Sequence, residues 1–187
     1  MNIVFGGTFN PPTLAHEKMI DYLLLKFNPD NLIIVPSGEY NHKESGKYSK
    51  HRLKMLYILT KERPKVSVSP IELEKKFLGT FQTLKTLEKD YSDLFFVLGS
   101  DNLPSLEAWI NFSRLIKEFR FIVFERKNYN AKKLISEIYP NFQDRFTIID
   151  FDIEVSSSEI RKNLHKHREF LNPEVYRYIE IHDLYKE

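Results

Sequence analysis

Short runs of apolar residues recur along the chain, and between them apolar positions return at every third and fourth residue. The first pattern predicts strands buried on both faces, and the second predicts amphipathic helices. Strands are predicted at Asn2 to Phe5, Asn31 to Val35, Val66 to Val68, Leu94 to Leu98, Phe119 to Phe124 and Phe146 to Ile149. Helices are predicted at Thr13 to Phe27, Ser49 to Lys61, Thr80 to Asp90, Ala131 to Tyr139, Ser156 to His165 and Pro173 to His182, with Asn102 to Lys117 mostly helical. In the first helix His16, Ile20, Leu23 and Phe27 share a face, and Asn28-Pro29 stops it. The second is predicted to turn Leu53, Leu56, Tyr57 and Leu59 inward. Pro36 to Lys47 is polar, with Gly, Asn and Ser, and reads as a loop. Alternating strands and helices predict a parallel sheet covered on both faces, an α/β fold.

In such sheets ligands sit beyond the carboxyl ends of the strands, near the switch in strand order. That rule gathers the chemistry onto one rim. Gly6-Gly7 follows the first strand, the loop with His42 and Lys43 follows the second, and Gly99 and Asp101 follow the fourth. The two glycines suit a sharp bend and a close approach to a ligand. Pro11 and Pro12 then suit the entry to a helix, whose free N–H groups aim back at the turn and favour an anion. Thr13 and His16 share one face of its first turn. Each part has an ordinary reading alone: a strand-to-helix turn, a core histidine, a solvated lysine.

A second stretch, Val155-Ser156-Ser157-Ser158-Glu159-Ile160-Arg161, combines serine hydroxyls, a helix start and one guanidinium. Ser156 with Glu159 fits a capping box. Arg161 early in that helix opposes the helix dipole, and a bound polyphosphate reverses the sign of that interaction. Two anion sites on one rim suit a triphosphate and a second phosphorylated substrate.

The chain has 187 residues, enough for one domain with a full core. A net charge of +2 gives no footprint for nucleic acid or a membrane. With no cysteine there is no thiolate metal site or disulfide framework. The chain opens at once on a strand pattern without a signal peptide, and a cytoplasmic location is expected.

The quoted motifs resemble those of the nucleotidylyltransferase superfamily. Gly6-Gly7-Thr8-Phe9-Asn10-Pro11-Pro12-Thr13-Leu14-Ala15-His16 is similar to its G-G-T-F-D-P-x-H-x-G-H segment, and Ser156-Ser157-Ser158-Glu159-Ile160-Arg161 to its S-S-T-x-I-R. The middle of the chain resembles one branch, the nicotinate-nucleotide (nicotinic acid mononucleotide) adenylyltransferases. There Pro36 to Lys43 is similar to P-x-x-x-P-H-K, Leu78 to Thr83 to S-Y-T-F-D-T, and Gly99-Ser100-Asp101 with Trp109 to G-x-D and a later W. Val175 to Ile179 with Leu184-Tyr185 matches the branch's ending. Asn10, Thr13 and Ala15 depart from the usual Asp, His and Gly. His16, Lys43 and Arg161 remain, so activity is expected.

The resemblance implies a Rossmann-like, doubly wound, three-layer α/β/α single domain over 1–187. It implies adenylyl transfer from ATP, with Mg2+, to nicotinate mononucleotide, giving nicotinate adenine dinucleotide and pyrophosphate, a step of NAD biosynthesis. By the same resemblance His16, Thr13, Lys43 and Arg161 are catalytic. Gly6, Gly7, Thr8, Phe9, His16, Gly99, Asp101, Ser157, Ser158 and Arg161 bind ATP, while Thr80, Trp109 and Lys43 bind the acceptor. Other acceptors for the same bond are nicotinamide mononucleotide, phosphopantetheine or a polyol phosphate. A class I aminoacyl-tRNA synthetase shares part of the logic, but the short chain lacks a K-M-S-K-S segment. A nucleotide-binding regulator without turnover is the non-enzyme alternative.

Overall fold

The computed structural model describes residues 1–38, 48–74, 77–127, 129–151 and 157–186. Within these, β1 (Asn2–Gly7), β2 (Asn31–Pro36), β3 (Val66–Val68), β4 (Leu94–Gly99), β5 (Arg120–Glu125) and β6 (Phe146–Asp150) form one sheet. Its order is β3-β2-β1-β4-β5-β6, and every neighbouring pair is parallel. The order reverses beside β1, where Phe5 pairs with Ile34 on one side and Val97 on the other. That crevice at the carboxyl ends is where a doubly wound sheet takes a ligand.

Side chains alternate across each strand and so feed two cores. Ile3, Phe5, Leu32, Ile34 and Val97 pack against α1 (Leu14–Phe27), α2 (Ser49–Thr60), α7 (Ser157–Lys162) and α8 (Pro173–Ile181). Val4, Ile33, Val35, Phe96 and Leu98 pack on the other face against α4 (Thr80–Leu87), α5 (Phe112–Glu118) and α6 (Ala131–Ile138). Three layers result, as expected. Ile3 and Val4 are both 0% exposed, and burying one such side chain contributes roughly 1.5–3 kcal/mol. The loops beyond β1 are therefore carried on a strand buried on both faces and paired on both edges. Among the described residues no helix is long and apolar enough to cross a membrane.

Helix α1 begins and ends as its sequence suggests. Thr13 is its N-cap, and Asn28 closes it in the left-handed region at φ 42°, donating its N–H to Leu24 O. Elsewhere the structure departs from the expected elements. A short helix α3 (Ile71–Glu74) precedes α4. The stretch expected to be mostly helical over Asn102 to Lys117 is a 3-10 run, Ser100–Ala108, and then α5. Trp109, with an extended backbone, and Asn111 at φ 60° separate the two. Helix α7 ends at Lys162 rather than His165, which puts Arg161 in its last turn. The expected dipole penalty on Arg161 therefore does not arise. In α2 the buried stripe is Arg52, Met55, Leu56 and Leu59, while Tyr57 is 44% exposed. Leu56 and Leu59 face inward as expected, while Arg52 and Met55 are buried in place of Leu53 and Tyr57.

Candidate active site

The bend after β1 is not made by its glycines. Gly6 and Gly7 are the last two residues of the strand, paired with Val35 and Pro36 of β2. A Cβ on Gly6 would lie 2.8 Å from the Phe96 ring, and one on Gly7 would lie 3.0 Å from the Phe9 ring. These glycines admit aromatic rings against the backbone; the positive φ falls on Phe9, at 48°. The Asn10-Pro11 peptide is cis, and Phe9 and Asn10 are buried. Thr8, at the mouth of the loop, is exposed.

Helix α1 starts from this loop with a reciprocal cap. The Thr13 N–H donates to His16 Nδ1 at 3.0 Å, and the His16 N–H donates to Thr13 Oγ1 at 3.5 Å. The Thr13 hydroxyl also lies 2.8 Å from Nδ1. Because Nδ1 accepts from a backbone amide, the neutral imidazole carries its proton on Nε2. Burial, and secondarily the positive charge of Arg126, push the His16 pKa down to about 4. His16 is thus a neutral N–H donor at physiological pH, half-buried at the head of α1.

The closing motif reaches this same loop. Ser157 Oγ donates to Pro11 O at 2.9 Å, and Arg161 Nη1 donates to Asn10 O at 2.7 Å. Arg161 Nη2 lies 3.3 Å from Ser158 Oγ. The two stretches expected to form separate anion sites are one assembly. From the C-terminus the Tyr185 hydroxyl donates to Asn10 Oδ1 at 2.5 Å.

Beyond β4, the Asp101 carboxylate folds back so closely that a Cβ on Gly99 would lie 2.3 Å from its Oδ1. Asp101 pairs with Arg126 Nε at 3.3 Å, rather than capping the following helix. The N–H of Arg126 donates to the buried Ser100 Oγ at 2.9 Å. Arg126, Lys127, Tyr129 and Asp150 line a cavity of about 620 Å3 past β5 and β6.

Thr80 and Trp109 meet through their neighbours. Gly79, at φ 94°, caps α4, and a Cβ there would lie 2.8 Å from Ile110 Cβ. Thr80 is the first residue of α4, and both Thr80 and Trp109 are half-buried. The indole meets the Phe96 ring edge-on at 6.1 Å. Glu72 ties this region to the loop after β2, accepting from the Gly38 N–H at 3.2 Å and the Thr83 hydroxyl at 2.7 Å. Burial pushes its carboxyl pKa up.

Lys43, His42, Ser156 and all but Tyr48 of the Tyr40 to Tyr48 loop lie outside the described residues. Four functional candidates escaped the sequence reading. Arg52 is 0% exposed, and its guanidinium donates to Thr8 O at 2.7 Å and Ser37 O at 2.9 Å, holding the loops after β1 and β2 together. Its signal was an arginine in phase with Met55, Leu56 and Leu59. Arg126 and Glu72 carry no comparable local signal, and Tyr185 carries only its place in the ending that matches the branch. The described rim offers two part-exposed guanidinium groups, a fixed neutral imidazole N–H and serine hydroxyls, which together suit a polyphosphate.

The cytidylyltransferase-like family profile matches residues 4–163. A protein of Acholeplasma laidlawii named "Probable nicotinate-nucleotide adenylyltransferase" is 39% identical over 189 residues, covering 100% of this chain and 98% of that protein. One of the same name from Fusobacterium nucleatum is 34% identical, covering 86% of each. In fold the chain is similar to the Plasmodium falciparum nicotinic acid mononucleotide adenylyltransferase complexed with NaAD. That likeness has a TM-score of 0.82 at 24% identity, over 98% of this chain and 96% of that one.

Proposed function

Because the chain belongs to the cytidylyltransferase-like family and, within it, to the nicotinate-nucleotide adenylyltransferases, we propose that the rim built around Asn10 is where it joins ATP to nicotinate mononucleotide. A 5′-phosphate oxygen of the mononucleotide bonds to the α-phosphorus of ATP. The bond from that phosphorus to the bridging oxygen breaks, and pyrophosphate leaves with the electron pair. The product is nicotinate adenine dinucleotide, a step of NAD biosynthesis. Such transfers need alignment and charge stabilisation more than covalent help from the protein.

One observation carries this reading: Ser157 and Arg161 bind the carbonyls of Asn10 and Pro11, which places the closing motif beside the cap that fixes His16. His16 Nε2–H then serves the α- and β-phosphates, where negative charge grows in the transition state. Arg161, Ser157 and Ser158 hold the β- and γ-phosphates, with Lys43 added from the loop after β2. Gly6, Gly7, Thr8 and Phe9 line the floor. Thr13 acts by orienting His16, since its amide and hydroxyl are both committed to that residue. Gly99 and Asp101 meet the adenosine ribose, with Arg126 and the cavity beyond it continuing the nucleotide side. Trp109 stacks on the pyridine ring, and Thr80 at the start of α4 receives its carboxylate.

Among the described residues no group of three or more His, Cys, Asp or Glu is placed to hold a metal. Mg2+ would arrive on the ATP phosphates, where it bridges phosphate oxygens and needs few protein ligands. We treat residues 1–187 as one nucleotidylyltransferase domain, and a cysteine-free chain suits a reducing cytoplasm.

The test is pyrophosphate release from ATP and Mg2+, with nicotinate and nicotinamide mononucleotides in parallel. Release strongly favouring the nicotinate form is expected, and it should fall by orders of magnitude in His16→Ala. Equal release with both acceptors removes Thr80 from its role. Near-normal turnover by His16→Ala removes His16 from the mechanism.

A further inference from the structure

One contact beside the site, between Tyr185 and Asn10, is not used by the reaction. Tyr185, close to the C-terminus, has φ 61°, a left-handed conformation unfavourable for a bulky aromatic residue. That backbone state accompanies a phenol turned inward, whose hydroxyl donates to Asn10 Oδ1 at 2.5 Å across 175 positions of sequence. Asn10 is 4% exposed and is held at two points, its side-chain oxygen by Tyr185 and its backbone oxygen by Arg161 Nη1 at 2.7 Å. The residue before it, Phe9, is also left-handed at φ 48°. Two aromatic residues in an uncommon backbone state therefore converge on one asparagine.

We infer that Tyr185 is a positioning residue for ATP, acting through Asn10 on the Arg161 guanidinium. This rests on the proposed role of Arg161 at the polyphosphate. The amide of Asn10 accepts the phenol hydrogen bond without adding a charge, so the Arg161 charge stays directed to the nucleotide. Burial raises the phenol pKa, so its proton is retained across the working pH range. The ring of Tyr185 also packs on Tyr48 at 4.8 Å, immediately before α2, the helix that carries Arg52. The C-terminus is thereby linked both to the Arg161 grip and to the helix holding the loops after β1 and β2.

The experiment compares Tyr185→Phe, Asn10→Ala and the double variant with the full-length protein. It reads KM for ATP, KM for nicotinate mononucleotide, kcat and the melting temperature, with Arg161→Ala alongside. Each single variant should raise KM for ATP about threefold to tenfold, the size of one lost neutral hydrogen bond. KM for the mononucleotide should hold within about twofold, and the double variant should be no worse than the weaker single, because both remove the same bond. A combination of Tyr185→Phe with Trp109→Ala should instead be multiplicative. Should Tyr185→Phe fail to fold, Asn10→Ala carries the same selectivity test from the other partner. Equal effects on both substrates, or multiplying effects of Tyr185→Phe and Asn10→Ala, overturn the inference and leave Tyr185 as packing alone. An unchanged KM for ATP in Arg161→Ala overturns the underlying assignment of Arg161, and the inference with it.

Discussion

The Thr13 backbone N–H donates to His16 Nδ1, and this bond decides which imidazole nitrogen carries the proton. The outward nitrogen, Nε2, is left as the donor. No adjacent carboxylate is needed to fix the tautomer, because the first turn of α1 does so with its own amide.

That arrangement has a sign in pH. The His16 pKa is lowered from 6.5 to about 4, so between those values the unfolded chain binds a proton that the folded chain refuses. Stability from this group is full above pH 6.5 and is lost as pH falls toward 4. Going from pH 7.5 to pH 5 should cost about 2 kcal/mol. His16→Gln should lose that slope in urea titrations at the two pH values. Turnover should show no inflection near pH 6.5 from this residue.

Arg52→Met tests the clamp between the two loops. The variant leaves Thr8 O and Ser37 O without their charged donor. A loss of about 2–4 kcal/mol is expected, from two hydrogen bonds to a charged group less the relief of not burying it. Urea unfolding checks this, and an unchanged midpoint would show that water replaces the guanidinium at no cost.

Trp109→Ala should raise KM for nicotinate mononucleotide at least about tenfold, the scale of a lost aromatic contact with its buried area. KM for ATP should change by less than about twofold. Steady-state kinetics with each substrate varied separates the two. Equal shifts would make the indole a packing residue only.

Gly99→Ala should act at a distance of one side chain. Its methyl would meet Asp101 Oδ1 at 2.3 Å and Arg126 Nε at 3.1 Å, so the carboxylate must swing away. KM for ATP should rise while kcat at saturation changes little, since ribose contacts are made in the ground state and the transition state alike. A fall in kcat alone would place Asp101 nearer the reacting phosphorus.

The layers of this fold were legible because the four inner strands are built on apolar runs, and each face-forming helix repeats at three and four. His16 and Arg161 were legible because their motifs are compact in sequence. The turn after β1 was misjudged for a physical reason: a glycine needed for close approach and one needed for positive φ look alike in sequence. Only the Phe96 ring, brought in by β4, decides between them. In α2 Arg52 and Met55 join Leu56 and Leu59 in the core in place of Leu53 and Tyr57, and nothing local shows that two carbonyls wait for the guanidinium. The partnership of Arg126 with Asp101, and that of Tyr185 with Asn10, exist only once the sheet has closed.

Phe96 is a wall with two tenants. On one side its ring fills the space that a Cβ of Gly6 would need, and on the other it meets Trp109 edge-on. The residue proposed for the triphosphate floor and the one proposed for the pyridine seat therefore lean on one phenyl group. An effort to re-aim the enzyme at a larger acceptor should trim Trp109 and keep the Phe96 ring, whose loss would empty the space beside Gly6. Libraries built for that purpose should vary position 109 and hold phenylalanine at 96 and glycine at 6.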